Sequence, residues 1–548
     1  MAMPAGAQEI PSSTRPDVIG QEFRAPDVPL STEDFTLPSP STGTLPDGVE
    51  DVRFLLSEII LEGNAALSEA ELHPIYADLL GVEVSLSRVF EAASQITAYY
   101  AEAGYALVAA YVPAQEIVDG RVRIIVVEGY VARVQLAGDF EGTIPSGLMA
   151  QRTRNIMAEM PLTTRRFERE LLLINDIPGL TVRGVLDRSD SAVGGTNLIL
   201  DIEEKPYDFL LGLNTRGSSA LGPLRWHAAV IFNNLFDNGT QLSANAIRTA
   251  DGESMEHYGL GFRTTAIGGE LDLIGYISWT DSKPDIADLR LLELASDGVA
   301  GGLGVGHSFI RSRDRTLRAQ FNFDFQNSTS DFLSVANSKD KTRVLSLRLI
   351  FDWLDNQNAI WQASAGLSHG VGLFGATDNN DPLKSGFDDD FGFWKVNAQL
   401  FHLQPVFWDM QLMLQAKGQT AFDPPPITQQ CGYGGAGFGR AFDYFEIAGD
   451  HCLAFSAELR KNFFADGYGV ADFFQLYAFY DAGKVWTKGA VPAGAETDAS
   501  AASLGGGLRF SLYDHADFSI EYAKPMNRDV RLEGNRDARV FISVSVRS

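Results

Sequence analysis

Leu317-Arg318-Ala319-Gln320-Phe321-Asn322-Phe323-Asp324-Phe325 alternates apolar and polar side chains without a break. Leu345-Ser346-Leu347-Arg348-Leu349-Ile350-Phe351-Asp352-Trp353 repeats the pattern almost as strictly. Successive side chains of an extended chain point to opposite faces, so each stretch reads as a strand with one apolar and one polar face. The same period recurs at 226–232, 271–277, 455–459, 473–480 and 540–546. After Pro206 no helical pattern interrupts it. A soluble sandwich would bury the apolar face, whereas a membrane barrel would turn it to lipid and line a lumen with the polar one. Local pattern does not separate the two. Size does: 207–548 is too long for one sandwich, which favours a barrel.

Composition narrows the field further. The chain has 548 residues, 44 Lys+Arg against 71 Asp+Glu, and a net charge of -27. That sign is wrong for a sheath of phosphate contacts, which speaks against nucleic-acid binding. No uncharged apolar run approaches the ~20 residues of a spanning helix, which excludes a helical membrane protein. The abundance of Gly (53) and Phe (35) suits tight turns and aromatic girdles.

Upstream the texture differs. Ala5-Gly6-Ala7 has the small-residue pattern that precedes signal-peptide cleavage, and an ordinary terminus reads equally well. Residues 8–50 hold seven prolines among Ser, Thr, Asp and Glu, and read with 1–7 as an extended linker. From 51 to 130 the order is strand (54–62), a helix opened by the capping box Ser68-Glu69-Ala70-Glu71, a second helix (86–103), and strands at 107–113 and 121–128. From 131 to 206 a second α/β module follows, with strands at 131–136, 181–186 and 197–202 and a helix at 165–175. The recurrence predicts a tandem pair.

Four pieces of the first module stand in order: Glu62-Gly63-Asn64, Tyr99-Tyr100 with Gly104-Tyr105, Val112-Pro113-Ala114-Gln115-Glu116, and Val126-Val127-Glu128-Gly129. The second carries Pro161-Leu162, Glu168-Arg169-Glu170-Leu171 and Leu173-Ile174-Asn175-Asp176-Ile177-Pro178-Gly179. In the strand region stand Gly439-Arg440-Ala441-Phe442-Asp443-Tyr444, Phe479-Tyr480-Asp481-Ala482-Gly483-Lys484-Val485 and Leu504-Gly505-Gly506-Gly507-Leu508-Arg509. Together these resemble the outer-membrane transporters of two-partner (type V) secretion, the haemolysin and filamentous-haemagglutinin exporters of the Omp85 superfamily. Their periplasmic units are POTRA domains.

The resemblance implies tandem POTRA domains followed by a transmembrane antiparallel β-barrel of about sixteen strands. It implies an outer-membrane location with the N-terminal domains in the periplasm, and a secreted, unfolded polypeptide as partner, with membrane lipid around the barrel. No cofactor, nucleotide or metal is implied, and no catalytic role. It further implies that Arg440, on a loop folded back into the lumen, pairs with Asp481 and latches the loop, with Phe442 and Gly483 completing the two motifs. A guanidinium fork suits a carboxylate there, because a partly dehydrated lumen screens the pair less than water does. The alternative is a solvated Arg440 and a turn Asp481.

Three departures stand out. Ala441 replaces the usual Gly, residues 8–50 are too Pro-rich for the plug helix common in the family, and Val544-Ser545-Val546-Arg547-Ser548 lacks a terminal aromatic residue. Cys431 and Cys452 flank the loop signature, where a disulfide would staple the loop's base; two free thiols are the alternative.

Other patterns carry less. Gly432-Tyr433-Gly434-Gly435-Ala436-Gly437 has dinucleotide-site spacing, but Pro424-Pro425-Pro426 precedes it and no helix pattern follows, so it reads as a flexible loop. Asp388-Asp389-Asp390 reads as a solvated face, and no nucleophile or metal constellation appears. The competing functions are an Omp85-type insertase, a passive porin or uptake channel, and a barrel-anchored adhesin.

Overall fold

The computed structural model describes residues 15, 22, 49–139, 146–188, 193–236, 239–266, 271–285, 293–386, 388–464, 473–488, 496–513 and 515–548. The signal-peptide reading at 5–7 lies outside these residues.

The first module wraps a three-stranded sheet around one helix. Glu58–Glu62 pairs in parallel with Arg121–Glu128, which pairs antiparallel with Val108–Tyr111. The helix Leu86–Glu102 buries Val89, Ala93, Ile96 and Tyr100, the residues that fall on one face at helical spacing. Gly104, at φ +90°, ends it where a side chain would be strained. At the capping box, the Glu71 carboxylate accepts from both the N–H and the hydroxyl of Ser68. The helix it opens is only Glu69–Leu72, because Pro74 lacks the N–H that would continue it. The stretch 54–62, expected as one strand, divides in two. Arg53–Leu55 pairs with Glu83–Ser85 while Glu58–Glu62 joins the main sheet.

The second module repeats this topology: Tyr130–Asp139 runs parallel to Gly195–Glu204, which is antiparallel to Leu180–Arg188. Its helices are Thr164–Asn175 and Ser146–Met157, the latter unexpected from sequence. Arg152 on that helix is buried and pairs with the buried Glu170 at 3.2 Å. An Arg on the core face breaks the apolar stripe by which helices are recognised. Backbone bonds from Leu162 N–H to Gly129 and from Ala106 N–H to Leu162 join the two modules.

Sixteen antiparallel strands, from Tyr207–Asn214 to Arg539–Arg547, close into a barrel. First and last strands meet through only five residue pairs, Ser543↔Asn214 to Arg547↔Leu210. Leu303, Phe321, Leu347, Leu400 and Leu504 stand exposed on the outer face, while Asn322, Ser346 and Arg348 alternate with such residues on the inner one. Stacked aromatics ring the outer face at two levels. Trp353, Trp361 and His402 stack at one end, and His369 on Trp394 at the other. Trp361 and His369 lie eight residues apart on one strand. At ~3.4 Å per residue and ~40° tilt that is about 21 Å, close to the apolar band of an outer-membrane barrel.

The modules sit at one mouth. Arg311 at the barrel rim donates twice to Asp176 (2.9 and 2.8 Å), and the Glu168 carboxylate accepts from Arg313 N–H. Residues 15 and 22 lie inside the barrel. The Glu22 carboxylate takes both Nη groups of lumen-facing Arg225 (3.1 and 2.9 Å), and Arg15 approaches Asp340 to 3.8 Å. At these two residues the reading of 1–50 as a linker outside the barrel is corrected. Proline content disfavours a core of the segment's own, not ion pairs with a wall already built.

The rim contact predicts an outcome. Asp176→Ala leaves Arg311, almost fully buried, without its carboxylate, a change worth about 3–5 kcal/mol for a buried pair. Distances between spin labels in the second module and on the rim should broaden in this variant. An unchanged distribution would show that other contacts hold the module.

Candidate functional site

The chain between the strands Met410–Ala421 and His451–Phe464 turns back into the lumen from the mouth opposite the modules. Its base is a small hairpin, Cys431–Tyr433 paired with Ile447–Gly449. This corrects the flexible-loop reading of 432–437: Gly434 and Gly435 sit at φ +124° and +93°, and Tyr433 is buried. Glycines serve here for tight turning, not for a phosphate. Cys431 and Cys452 are joined by a disulfide, with Cα atoms 5.8 Å apart. Lys417 Nζ donates to the Gly432 carbonyl and Lys395 Nζ to that of Gln429, both at 2.8 Å.

From this base the loop carries Arg440 to the barrel wall. Its Nε and Nη2 donate to the two oxygens of Asp481 (3.1 and 3.0 Å), and its own N–H donates to Asp481 Oδ2 (3.0 Å). Nη1 donates to Glu458 at 2.5 Å, and Nη2 also to Ser456 Oγ at 3.1 Å. Ser456 and Ser503 hydroxyls donate to Asp481, and Arg509 donates to Glu458 through both Nη groups. The guanidinium lies 3.6 Å over the Phe479 ring. Asp481 and Glu458 are fully buried.

The spacing of the strand motif now has a cause. Phe479, Asp481 and Gly483 alternate on the lumen face. The first stacks under the guanidinium and the second takes its fork. The third makes room for Tyr433, whose ring would meet a Cβ at Gly483 at 2.1 Å. Ala441 is tolerated because the left-handed residue is Gly439, at φ +88°, and position 441 is not in that region. Phe442 packs beside Tyr433, their rings 6.2 Å apart. Arg539 donates to the Ala441 carbonyl and to Asp443.

Sequence reasoning named Arg440, Phe442, Asp481, Gly483 and the two cysteines, and the structure gathers all six at the loop. It missed Glu458, Ser456, Ser503, Arg509 and Tyr433. Glu458 carried one available signal, a carboxylate at an inward position two residues from Ser456 on a predicted strand. Asp389 departs from the solvated face expected of 388–390. It is buried, accepts from Gly386 N–H at 2.8 Å, and is pushed up to about 7 by burial and by Asp340.

A closed barrel with an apolar outer band and POTRA-like modules at one mouth defines an outer-membrane protein of the POTRA–barrel class. Two family models cover it: a POTRA domain of ShlB type at residues 54–129, and the haemolysin secretion/activation protein ShlB/FhaC/HecB at 194–510. The chain belongs to the haemolysin secretion/activation family of two-partner secretion transporters, which carry secreted partner proteins through the barrel. The Heme/hemopexin transporter protein HuxB of Haemophilus influenzae (strain 86-028NP) is 24% identical over 500 residues, spanning 88% of this chain and 85% of its own. CdiB from Escherichia coli superposes with a TM-score of 0.74 at 19% identity, covering 93% of this chain and 94% of that one. BamA from Haemophilus ducreyi lacking POTRA domains 1–3 gives 0.51 at 16% identity, covering 90% and 100%. At these identities the superpositions show the fold alone.

Two outcomes follow from this geometry. Gly483→Ala drives a methyl into the Tyr433 ring, so the loop must lift. Protease access to 430–445 should rise while the folded barrel stays heat-modifiable on gels, and unchanged access would disprove the steric role. Glu446, buried in the loop, accepts from Arg531 N–H at 2.5 Å and is pushed up to about 7 by burial, with Asp443 adding to the rise. A carboxyl raised in the docked loop binds its proton there more tightly than in the freed loop. Docking is therefore firmest at low pH and weakens as pH rises from about 4.5 to about 7. Protection of the loop amides relative to their intrinsic exchange rates should be greater at pH 5 than at pH 8 (roughly the ends of that window), and Glu446→Gln should shrink the difference.

Proposed function

We propose that the chain holds its unfolded partner at the periplasmic modules and passes it through the lumen as the Arg440 loop shifts. The observation that carries this reading is the buried fork between Arg440 and Asp481, which ties to the barrel wall a loop that occupies the path. The modules' sheets end in edge strands: Glu58–Glu62 and Val108–Tyr111 flank the first sheet, Tyr130–Asp139 and Leu180–Arg188 the second. An extended chain adds to such an edge by backbone bonds, with little demand on sequence. No nucleotide enters; folding of the partner outside would bias movement outward. Outer-membrane lipid enters the reading as the solvent of the apolar outer face.

The latch is strong enough to matter and small enough to release. Removing one partner of a buried pair costs about 3–5 kcal/mol, a modest part of a barrel's total closure. Deleting the gene should remove one large protein from the medium and leave other outer-membrane barrels at normal levels. Arg440→Ala and Asp481→Ala should each lower that protein's secretion with the barrel still assembled. Normal secretion in both variants would remove the latch, and depletion of many barrels would point to an insertase.

A further inference from the structure

The lumen has two unlike walls. Arg440 is anchored on the twelfth and thirteenth strands of the ring, at Ser456, Glu458 and Asp481, and Ser503 of the fourteenth donates to Asp481. In a ring of sixteen, the strands facing these are the fourth to sixth, Met255–Ala266, Leu271–Ser282 and Ala295–Arg311.

Between Ser296 and Ser308 the inward positions of Ala295–Arg311 run Gly298, Ala300, Gly302, Gly304, Gly306, alternating with exposed Leu303 and Val305 on the outer face. No side chain larger than a methyl rises from this row. What covers it comes sideways from the neighbours. Asn322, opposite Gly304 in register, lies flat enough that a Cβ at Gly304 would meet its Oδ1 at 2.2 Å. The same device recurs two strands away, where Asn245 lies over Gly259 at 2.3 Å. Tyr276 lies beside Gly302 and donates to Asp324 at 2.7 Å. Ser278 stands between Gly259 and Ala300 in the register. Asn245 has no hydrogen-bond partner among the described residues and is half-exposed to the lumen.

We infer that this wall is the sliding surface for the translocated chain, a track rich in glycine, carboxamide and hydroxyl groups whose charges are tied up within the wall, Arg263 by Asp272 (3.2 Å) and Asp324 by the Tyr276 hydroxyl, and that takes an extended polypeptide by its backbone. The inference rests on the export reading and says which part of the lumen the partner touches. An extended chain in a narrow lumen must satisfy one N–H and one C=O per residue. A carboxamide offers both donor and acceptor, so it serves either without regard to sequence. Neutral bonds of this kind are weak once exchange with water is counted, whereas charge-assisted ones are roughly twice as strong. Transit needs contacts that form readily and break readily, which favours the neutral kind. The opposite wall, with Arg440, Glu458, Asp481 and Arg509, would hold a passing chain wherever it carried charge. Glycine under each Asn keeps the carboxamides from projecting into the path.

The two natural cysteines are joined, so an introduced thiol is the one reactive site. In Gly304→Cys the new Cβ displaces the end of the Asn322 side chain, a group able to rotate away, and the barrel should assemble. Intact cells are then treated with a cationic methanethiosulfonate reagent, and secretion of the protein lost on gene deletion is followed. Gln415→Cys, facing the lumen on the eleventh strand beside the loop, serves as the comparison. The adduct at 304 should slow secretion about tenfold, the effect of about 1.4 kcal/mol on a barrier, and the adduct at 415 by less than about twofold. Equal effects at the two positions, or none at 304, would overturn the track while leaving export intact. A deletion strain that still secretes every protein would instead overturn the export reading itself. If Gly304→Cys fails to assemble, Ser278→Cys, which keeps the size of the side chain, takes its place against Gln415→Cys: a tenfold slowing supports the track, and equal effects or none overturn it.

Discussion

A guanidinium buried in a barrel lumen has to be neutralised where it stands, and Arg440 is neutralised by two carboxylates that are themselves fully buried. Glu458 is shared with Arg509, so the cluster balances two cations against two anions. The balance has a consequence for motion. If the loop leaves, Glu458 keeps Arg509, while Asp481 retains the Ser456 and Ser503 hydroxyls. The emptied wall is thus poorer by one cation but not stripped of partners. An attachment of this kind suits an element with two discrete positions better than one fixed permanently. The surrounding features serve its placement. The disulfide and the two lysines fix the loop's base, Gly439 turns the chain, and Gly483 admits the Tyr433 ring.

The charge network does not end at the loop. Arg509 lies 3.7 Å over the Tyr477 ring, and Tyr477 donates to Glu521 at 2.8 Å. Arg216, which follows the first barrel strand, donates to the same Glu521 at 2.6 Å and lies over Phe541 of the last strand. Side chains therefore connect the loop's anchor to the junction between first and last strands, the side where backbone pairing is shortest. At that junction Thr215 adds its own bonds to Ile542. Closure of the ring and docking of the loop draw on one connected set of polar groups.

Much of this architecture was legible in the sequence because period two is a local property. Leu317 to Phe325 shows its two faces before any partner strand is known, and the helix at 86–102 shows its stripe. Arg440 and Asp481 were legible through their motifs, although forty-one residues of chain separate them. Features that depend on a partner from elsewhere were not. The helix Ser146–Met157 hides behind Arg152, polar until Glu170 neutralises it. The strand at 54–62 divides because two different sheets claim its halves. Glu458 looks like any lumen-facing polar residue until Arg440 arrives from the loop. Asp389, one of three adjacent carboxylates, is buried by contacts no local pattern announces, and Arg15 and Glu22 find their partners more than two hundred residues away.

The two walls of the lumen answer different physical demands, and the sequence meets them with different residues. Holding a loop takes a few strong, geometrically exact contacts in a low-dielectric place, which calls for Arg, Asp and Glu with buried surroundings. Letting a chain pass takes many weak, exchangeable contacts and no obstacles, which calls for Gly, Asn and Ser. Mixing the two on one surface would defeat both. Exposed charges would arrest the passing chain, and small neutral residues would not retain the loop. The ring separates them by half its circumference: the loop's anchor gathers on the strands around Asp481, and a row of glycines overlain by neighbouring side chains runs along Gly298 to Gly306. A sixteen-strand ring is wide enough for that separation. In a ring of eight the walls would touch across an interior that side chains already fill.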